Sequence, residues 1–155
     1  MRVLIFGNSG SGKSWRARNL AAGHGLAHLD LDTIVWVPGE IAVARPKPDV
    51  LAELRAFVDT HPAWVAEGAY GDVIEAALPF CDELVFMNPG REKCLANNAL
   101  RPWEAHKYAS KAQQDSMLPM LMEWVESYYQ RADACSYSWH RRMFDGFAGN
   151  KCEIT

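Results

Sequence analysis

Short apolar runs alternate along the chain with segments of helical periodicity. The apolar runs lie at residues 3–6, 27–31, 63–66 and 83–87, and a weaker run lies at 151–154. Apolar runs of this length that lack polar alternation are typical of strands buried on both faces of a parallel sheet. The pattern therefore predicts five strands, most of them with both faces covered.

Helical patterns fill the intervals between these runs. We expect helices at 13–22, at 49–60 after Pro48, and at 91–100 after an Asn-Pro-Gly turn. A longer stretch follows, and its apolar residues recur at helical spacing, which favours a core-facing stripe: Met117, Leu121, Trp124, Val125 and Tyr128. Strands that alternate with helices predict an α/β fold with a parallel sheet.

Length and charge narrow the class of protein. The 155 residues suit a single domain, 1–155, and the net charge of −3 gives no basic excess, so direct nucleic-acid binding is not expected. No apolar run approaches the ~18 residues of a membrane span, and the first residues do not resemble a signal peptide. The four cysteines form no CxxC pair, which favours reduced thiols and a cytoplasmic location. The sequence leaves the oligomeric state open.

One glycine-rich segment follows the first predicted strand and precedes the first predicted helix. It fits the pattern G-x-x-x-x-G-K-[ST] with Gly7, Asn8, Ser9, Gly10, Ser11, Gly12, Lys13 and Ser14. Glycines allow successive backbone N–H groups to face phosphate oxygens, and the helix that follows directs its positive end there. Lys13 can bridge the terminal phosphates and Ser14 can bind Mg²⁺. The alternative, a glycine-rich turn with a solvated lysine, is far less common in this context.

Carboxylates follow two further predicted strands. Asp30 and Asp32 end the second strand, and residues two apart in an extended segment share a face. Asp32, helped by Asp30, is our candidate for orienting an attacking hydroxyl. Glu67 ends the third strand and is a candidate to organise Mg²⁺ with Ser14. The competing interpretations are a helix cap for the aspartates and a surface acid for Glu67.

Phosphoryl transfer also needs positive charge near the migrating group. Arg101 is the preferred candidate, because it follows a predicted helix and precedes Pro102, where a lid can begin. The other candidates are Arg91, Lys107, Arg141 and Arg142. Arg45 and Lys47 follow Asp32 in the chain, where they could meet an anionic acceptor.

With these residues assembled, the chain resembles small P-loop kinases of the adenylate-kinase-like and shikimate-kinase-like group. It looks most like the adenylate-kinase-related proteins often labelled "DNA topology modulation", through GNSGSGKS, HLDLDTIVWVPG, WVAEGAYG and NPGREKCLANNALR. The resemblance implies a P-loop NTP hydrolase fold, a three-layer α/β/α arrangement with a five-stranded parallel sheet in the order 2-3-1-4-5. It also implies a helical lid and tail region at about 101–145.

The expected activity is ATP- and Mg²⁺-dependent phosphoryl transfer to a small hydroxyl- or phosphate-bearing acceptor. Two alternatives remain, a regulator that binds a nucleoside triphosphate with little turnover and a nucleotide hydrolase. The regulator is favoured where the chain departs from its relatives: Asn88 replaces an aspartate, Asn97 replaces the first of two arginines, and the sequence ends soon after the last strand. The acceptor and the choice between ATP and GTP are not predicted.

Overall fold

The five strands and four helical segments that the sequence pattern predicts all occur in the predicted order, together with further elements that it does not predict. The computed structural model describes residues 1–155, apart from the side chain of Ile41. The strands are β1 (Arg2–Gly7), β2 (Ala27–Asp30), β3 (Trp36–Val37), β4 (Glu40–Ala44), β5 (Trp64–Gly68), β6 (Glu83–Met87) and β7 (Asn150–Ile154). The helices are α1 (Lys13–His24), α2 (Asp32–Val35), α3 (Lys47–Thr60), α4 (Gly71–Ala77), α5 (Arg91–Ala99), α6 (Lys111–Glu126) and α7 (Tyr137–Gly146), with 3₁₀ turns at Leu78–Phe80 and Ser127–Tyr129.

Five of the strands form one parallel sheet in the order β2-β5-β1-β6-β7. When these five strands are numbered alone, the order is 2-3-1-4-5, which agrees with the predicted strand order. In the register of the sheet, Glu67 pairs with Ile5 on one side and with Asp30 on the other. The ends of β1, β2 and β5 therefore meet at one edge, where ligands bind in open α/β sheets.

Helices cover both faces of this sheet, which confirms the predicted α/β class. Alternate residues of β1 point to opposite sides, as the pleat requires. Leu4 and Phe6 are buried under α3, α4 and α7, whereas Val3 and Ile5 are buried under α1 with Ala17. Both faces of the central strand are thus dry, which explains its continuous apolar sequence.

A two-stranded antiparallel hairpin, β3–β4, lies outside the main sheet and was not predicted. Pro38 and Gly39, which the sequence marks as a loop, form its turn, and Gly39 has a φ of 75°. β3 has only two residues, and β4 is largely apolar after Glu40, so neither strand gives a period-2 pattern of apolar and polar residues. This hairpin supplies one wall of the cavity described below.

The predicted apolar stripe along α6 and the 3₁₀ turn that follows it faces inward. Val125 and Tyr128 are buried, and Met117, Leu121 and Trp124 are partly buried. Residues 101–110, which join α5 to α6, contain turns and no regular element, so the predicted helical region begins only at Lys111. In the part of the chain that the structure describes, no helix is both long enough and apolar enough to cross a membrane.

Candidate active site

The segment between β1 and α1 is a tight loop that only glycine accommodates at key points. Gly10 has a φ of 77°, in the left-handed region. A Cβ atom placed on Gly10 would lie 2.4 Å from the carbonyl oxygen of Cys94 and 2.4 Å from Nδ2 of Asn98, both in α5. A Cβ atom on Gly7 would lie 2.2 Å from the carbonyl oxygen of Met87. The loop is therefore pressed against α5 and the end of β6.

Lys13 folds back over this loop. Its side chain is buried, with 8% exposure, and Nζ donates a hydrogen bond to the carbonyl oxygen of Asn8 at 2.7 Å. Burial lowers the pKa of Lys13, while attraction to Glu67 and Asp32 acts in the opposite direction. An ammonium has three donors, so a buried lysine held in this way can still donate to an anion at the loop.

Polar side chains tie the loop to the helices that follow. Nδ2 of Asn8 donates to the carbonyl oxygen of Val125 at 3.0 Å, and Oγ of Ser9 donates to Oδ1 of Asn98 at 3.1 Å. Asn97 donates to the carbonyl oxygen of Gly10 at 2.7 Å. The hydroxyl of Ser11 is buried and has no hydrogen-bond partner among the residues that the structure describes. The loop is thus fixed in shape and holds an unused polar group.

Glu67 is placed at the same edge by the end of β5. The residue is 2% exposed, and its Oε1 has no hydrogen-bond partner among the described residues. Burial, followed by repulsion from Asp30, raises the pKa of Glu67 to about 7, against the opposing effects of Lys13 and the Ser14 hydroxyl. Leaving a buried carboxylate oxygen unpaired is costly, and a bound cation would relieve that cost.

Asp30 and Asp32 lie together, but not in the way that the sequence predicts. β2 ends at Asp30, and Asp32 is the first residue of α2, so the expected extended segment with both side chains on one face is wrong. Oδ1 of Asp30 instead accepts a hydrogen bond from the backbone N–H of Asp32 at 2.9 Å. This turn brings both carboxylates toward Lys107, whose Nζ lies 3.9 Å from Oδ2 of Asp30 and 2.5 Å from Oδ2 of Asp32.

A hydrogen-bond chain fixes the other side of Asp32. Nε1 of Trp36 donates to the hydroxyl oxygen of Tyr70 at 2.6 Å, and that hydroxyl donates to Oδ1 of Asp32. Burial disfavours the ionised carboxylate, but attraction to Lys107 and hydrogen bonds from Lys107 and Tyr70 outweigh burial and leave the pKa of Asp32 below its usual value. Asp32 is therefore an oriented carboxylate. Tyr70 was not singled out from the sequence, although it follows Glu67 closely in the chain.

Arg101 and Lys107 both reach the site, at different ends of it. Nη2 of Arg101 donates to Oγ of Ser9 at 3.2 Å, so this arginine contacts the glycine-rich loop. Lys107, which the sequence analysis ranked below Arg101, contacts the two aspartates. The remaining basic candidates with described partners are paired elsewhere: Arg45 with Glu53, Lys47 with Asp72, Arg141 with Glu153 and Arg142 with Glu75.

A cavity of about 110 Å³ opens beside Asp32. The β3–β4 hairpin and α2 form one side, and the segment after α5 forms the other. Its lining residues are Asp32, Thr33, Trp36, Val37, Pro38, Gly39, His106 and Lys107. The cavity therefore has an aromatic and apolar wall, with a charged pair at Asp32 and Lys107. No group of three or more His, Cys, Asp or Glu side chains that could hold a metal ion by itself occurs among the described residues.

Comparisons with known proteins bear on the fold. A scan against protein-family models and a search of curated proteins found no match. Among solved structures, 110 chains match. One is the unliganded crystal structure of a sugar kinase from Janibacter sp. HTCC2649, with 14% sequence identity, coverage of 99% of this chain and 83% of that chain, and a TM-score of 0.55. The chain thus shares an α/β fold with this sugar kinase over 99% of its length.

Proposed function

We propose that this protein is a P-loop phosphotransferase that moves the terminal phosphoryl group of ATP to a hydroxyl group of a small acceptor, with Mg²⁺ as cofactor. The observation that carries the proposal is the relation of two groups at one edge of the sheet. Lys13 lies in a glycine-built loop, and the oriented carboxylate of Asp32 interacts with its charge. Asp32 also lines the cavity.

The loop of residues 7–14 fits a nucleoside triphosphate. Close packing at Gly7 and Gly10 holds the loop against β6 and α5, and a glycine-rich loop of this kind can direct backbone N–H groups at phosphate oxygens. The buried hydroxyl of Ser11 lacks a partner, and a phosphate oxygen would provide one. Lys13 would bind the terminal phosphates. The sugar kinase that shares the fold supports phosphoryl transfer in general terms.

Ser14 and Glu67 are the residues that would hold Mg²⁺. The fit rests on the Glu67 carboxylate, which is close enough to Ser14 and Lys13 to interact with both, while its Oε1 is buried and has no hydrogen-bond partner in the part of the chain that the structure describes. Magnesium is commonly bound through one or two protein carboxylates together with substrate phosphates. When bound, the ion offsets the charge on the phosphate oxygens.

Asp32 has the properties of the group that receives the acceptor's proton. Tyr70 fixes one carboxylate oxygen, and the other oxygen faces the cavity side, where Lys107 lies. As the acceptor oxygen forms its bond to the terminal phosphorus, the bond to the ADP oxygen breaks and the hydroxyl proton passes to Asp32. Arg101 and Lys107 add positive charge on the two sides of this path.

The charges around the cavity favour an acceptor that presents a hydroxyl group rather than a phosphate. Arg45 and Lys47, the residues considered for an anionic acceptor, pair with Glu53 and Asp72. Asp30 and Asp32 place two carboxylates beside one ammonium. These carboxylates would repel an acceptor phosphate, whereas they would not repel a neutral polyol or sugar. Trp36 offers an apolar wall to the carbon skeleton of such an acceptor.

The direct test is ADP release from ATP and Mg²⁺ with a panel of sugars, polyols and amino alcohols, and with AMP as an anionic comparison. Turnover stimulated by a hydroxyl compound supports the proposal. Turnover that no acceptor changes would identify a hydrolase, and nucleotide binding without turnover would identify a regulator. Repeating the assay with GTP establishes the nucleotide preference.

A further inference from the structure

Glu104 joins the two cations of the site. Its Oε2 accepts a hydrogen bond from Nη1 of Arg101 at 3.2 Å, and its Oε1 lies 3.4 Å from Nζ of Lys107. Arg101 also contacts Ser9 in the glycine-rich loop, and Lys107 also contacts Asp32. Side-chain contacts therefore connect the glycine-rich loop to the cavity, and the carboxylate of Glu104 is the link between the two cations.

The position of Glu104 is set by its neighbours and not by solvent. Its side chain is 20% exposed, and that of Lys107 is 9% exposed. The backbone N–H of Glu104 donates to Oε1 of Gln114 at 2.8 Å, and Gln114 donates to the carbonyl oxygen of Pro102 at 3.0 Å. Because α6 anchors the segment at this point, a change in the partners of Glu104 is a local change of side chains.

Lys107 has three acidic neighbours at unequal distances. Asp32 is at 2.5 Å, Glu104 at 3.4 Å and Asp30 at 3.9 Å, so its ammonium lies on the carboxylate that an acceptor hydroxyl would need. Glu104 is the nearer alternative partner, but it is shared with Arg101. The strength with which Glu104 attracts Lys107 therefore depends on where Arg101 is.

We propose that Glu104 is a positioning residue through which nucleotide in the loop controls access of the acceptor to Asp32. This inference rests on the proposed function. A triphosphate beside Ser9 attracts Arg101, since charge-assisted bonds from arginine to phosphate are among the strongest available to it. Once Arg101 has turned to the phosphate, Lys107 is the one of the two cations that still contacts Glu104. Lys107 then shifts from Asp32 toward Glu104. Nucleotide binds first, and the cavity side of Asp32 opens second.

Chemical labelling of lysines tests this order without knowledge of the acceptor. Acetic anhydride labels free amines, and mass spectrometry gives a rate for each lysine of the full chain. Because Lys107 that has moved to Glu104 keeps one carboxylate neighbour in place of three, its ammonium loses its proton more readily, and we expect Mg²⁺ and a non-hydrolysable ATP analogue to raise the rate at Lys107 several-fold in the wild type. Lys111, four residues away and 69% exposed, is the internal control and should keep its rate.

Two variants should differ in the rate at which Lys107 is labelled. In Glu104→Gln, Lys107 loses its alternative partner, so its labelling should stay slow with and without nucleotide. In Arg101→Met, Glu104 is released from the arginine, so Lys107 should be labelled faster even without nucleotide. A merely structural role for Glu104 would move both variants in the same direction, which would overturn the inference.

Nucleotide affinity, measured by calorimetry on the same samples, distinguishes failure of the coupling through Glu104 from failure of the proposed function. If the analogue binds and Lys107 labelling is unchanged or slower in the wild type, the proposed coupling is wrong and the proposed function stands. If the analogue does not bind at all, the proposed function fails and this inference fails with it.

Discussion

His140 donates a hydrogen bond from Nε2 to the carbonyl oxygen of Ala69, 2.9 Å away. Because a carbonyl only accepts, Nε2 carries the proton, and Nδ1 therefore accepts the hydrogen bond from the Tyr128 hydroxyl at 2.8 Å. This fully buried imidazole ties α7 to the turn between Glu67 and Tyr70. The neutral form of a core histidine thus helps to place two residues of the candidate site.

The first prediction concerns stability at low pH. Burial lowers the pKa of His140 to about 4 in the folded chain, against about 6.5 when unfolded. Between these values the unfolded chain takes up a proton that the folded chain does not, so folding stability falls as the pH falls. We expect a loss of about 3 kcal/mol from this residue between neutral pH and pH 4.

Urea unfolding of the wild type and His140→Gln across this range measures the effect. Contributions from other groups are common to both proteins, so the difference between the two curves should shrink as the pH falls from 6.5 to 4. His24→Gln, at an exposed position, is the control and should leave the slope unchanged. A constant difference between the wild type and His140→Gln would show that His140 is protonated in the fold.

The second prediction concerns the shape of the glycine-rich loop. Gly10→Ala places a methyl group against Cys94 and Asn98 and forces a left-handed backbone on a residue that disfavours it by about 1–2 kcal/mol. We expect a loss of stability and a weaker affinity for ATP. Gly23→Ala, in α1 with nothing near its Cβ position, is the matched control. That variant should be neutral or slightly stabilising, and equal effects at both positions would contradict the tight loop.

The third prediction concerns the orientation of Asp32. Tyr70→Phe removes the hydroxyl that donates to Asp32 and accepts from Trp36. Because a hydrogen bond to a charged group contributes about 1.5–3 kcal/mol, acceptor-dependent kcat/KM should fall roughly ten- to a hundredfold with little change in ATP affinity. Tyr129→Phe removes a hydroxyl that donates to Asn88 and serves as control. An equal loss in the two variants would remove Tyr70 from the mechanism.

The fourth prediction concerns magnesium. Glu67→Gln keeps the shape of the side chain and removes its charge, so nucleotide binding without metal should persist. The stimulation of turnover by Mg²⁺ should fall roughly ten- to a hundredfold. Turnover measured against Mg²⁺ concentration checks this, and superimposable curves for the wild type and the variant would show that Glu67 does not contact the metal.

Local patterns in the sequence were sufficient to predict much of the framework. The five strands of the parallel sheet and the glycine-rich loop depend on short contiguous segments, and the strand order came from the resemblance that those segments carry. The predicted extended conformation of Asp30 and Asp32 was wrong. The hydrogen bond from the Asp32 N–H to the Asp30 side chain turns the chain at a point where the apolar run predicts a strand.

The parts of the site that were missed depend on distant segments. Trp36 reaches Tyr70 across a hairpin too short for a periodic pattern. Lys107 was a candidate for positive charge at the site, but its contact with Asp32, made from a segment without regular structure, was not predicted. Nothing in the local sequence distinguishes Glu104 from other acidic residues, and only the structure places it between Arg101 and Lys107. Such contacts arise from tertiary packing, which single-sequence patterns do not encode.

Lys13 and Asp32 are proposed to act in the same phosphoryl transfer. The most direct measurement follows labelled phosphate from γ-labelled ATP in the presence of the hydroxyl compounds that stimulate turnover. The wild type and Lys93→Ala, which alters an exposed lysine of α5, should form one labelled acceptor per ADP released. Folded Lys13→Ala and Asp32→Asn should form almost none. Label that appears only in inorganic phosphate, or transfer that survives Lys13→Ala, would contradict the account.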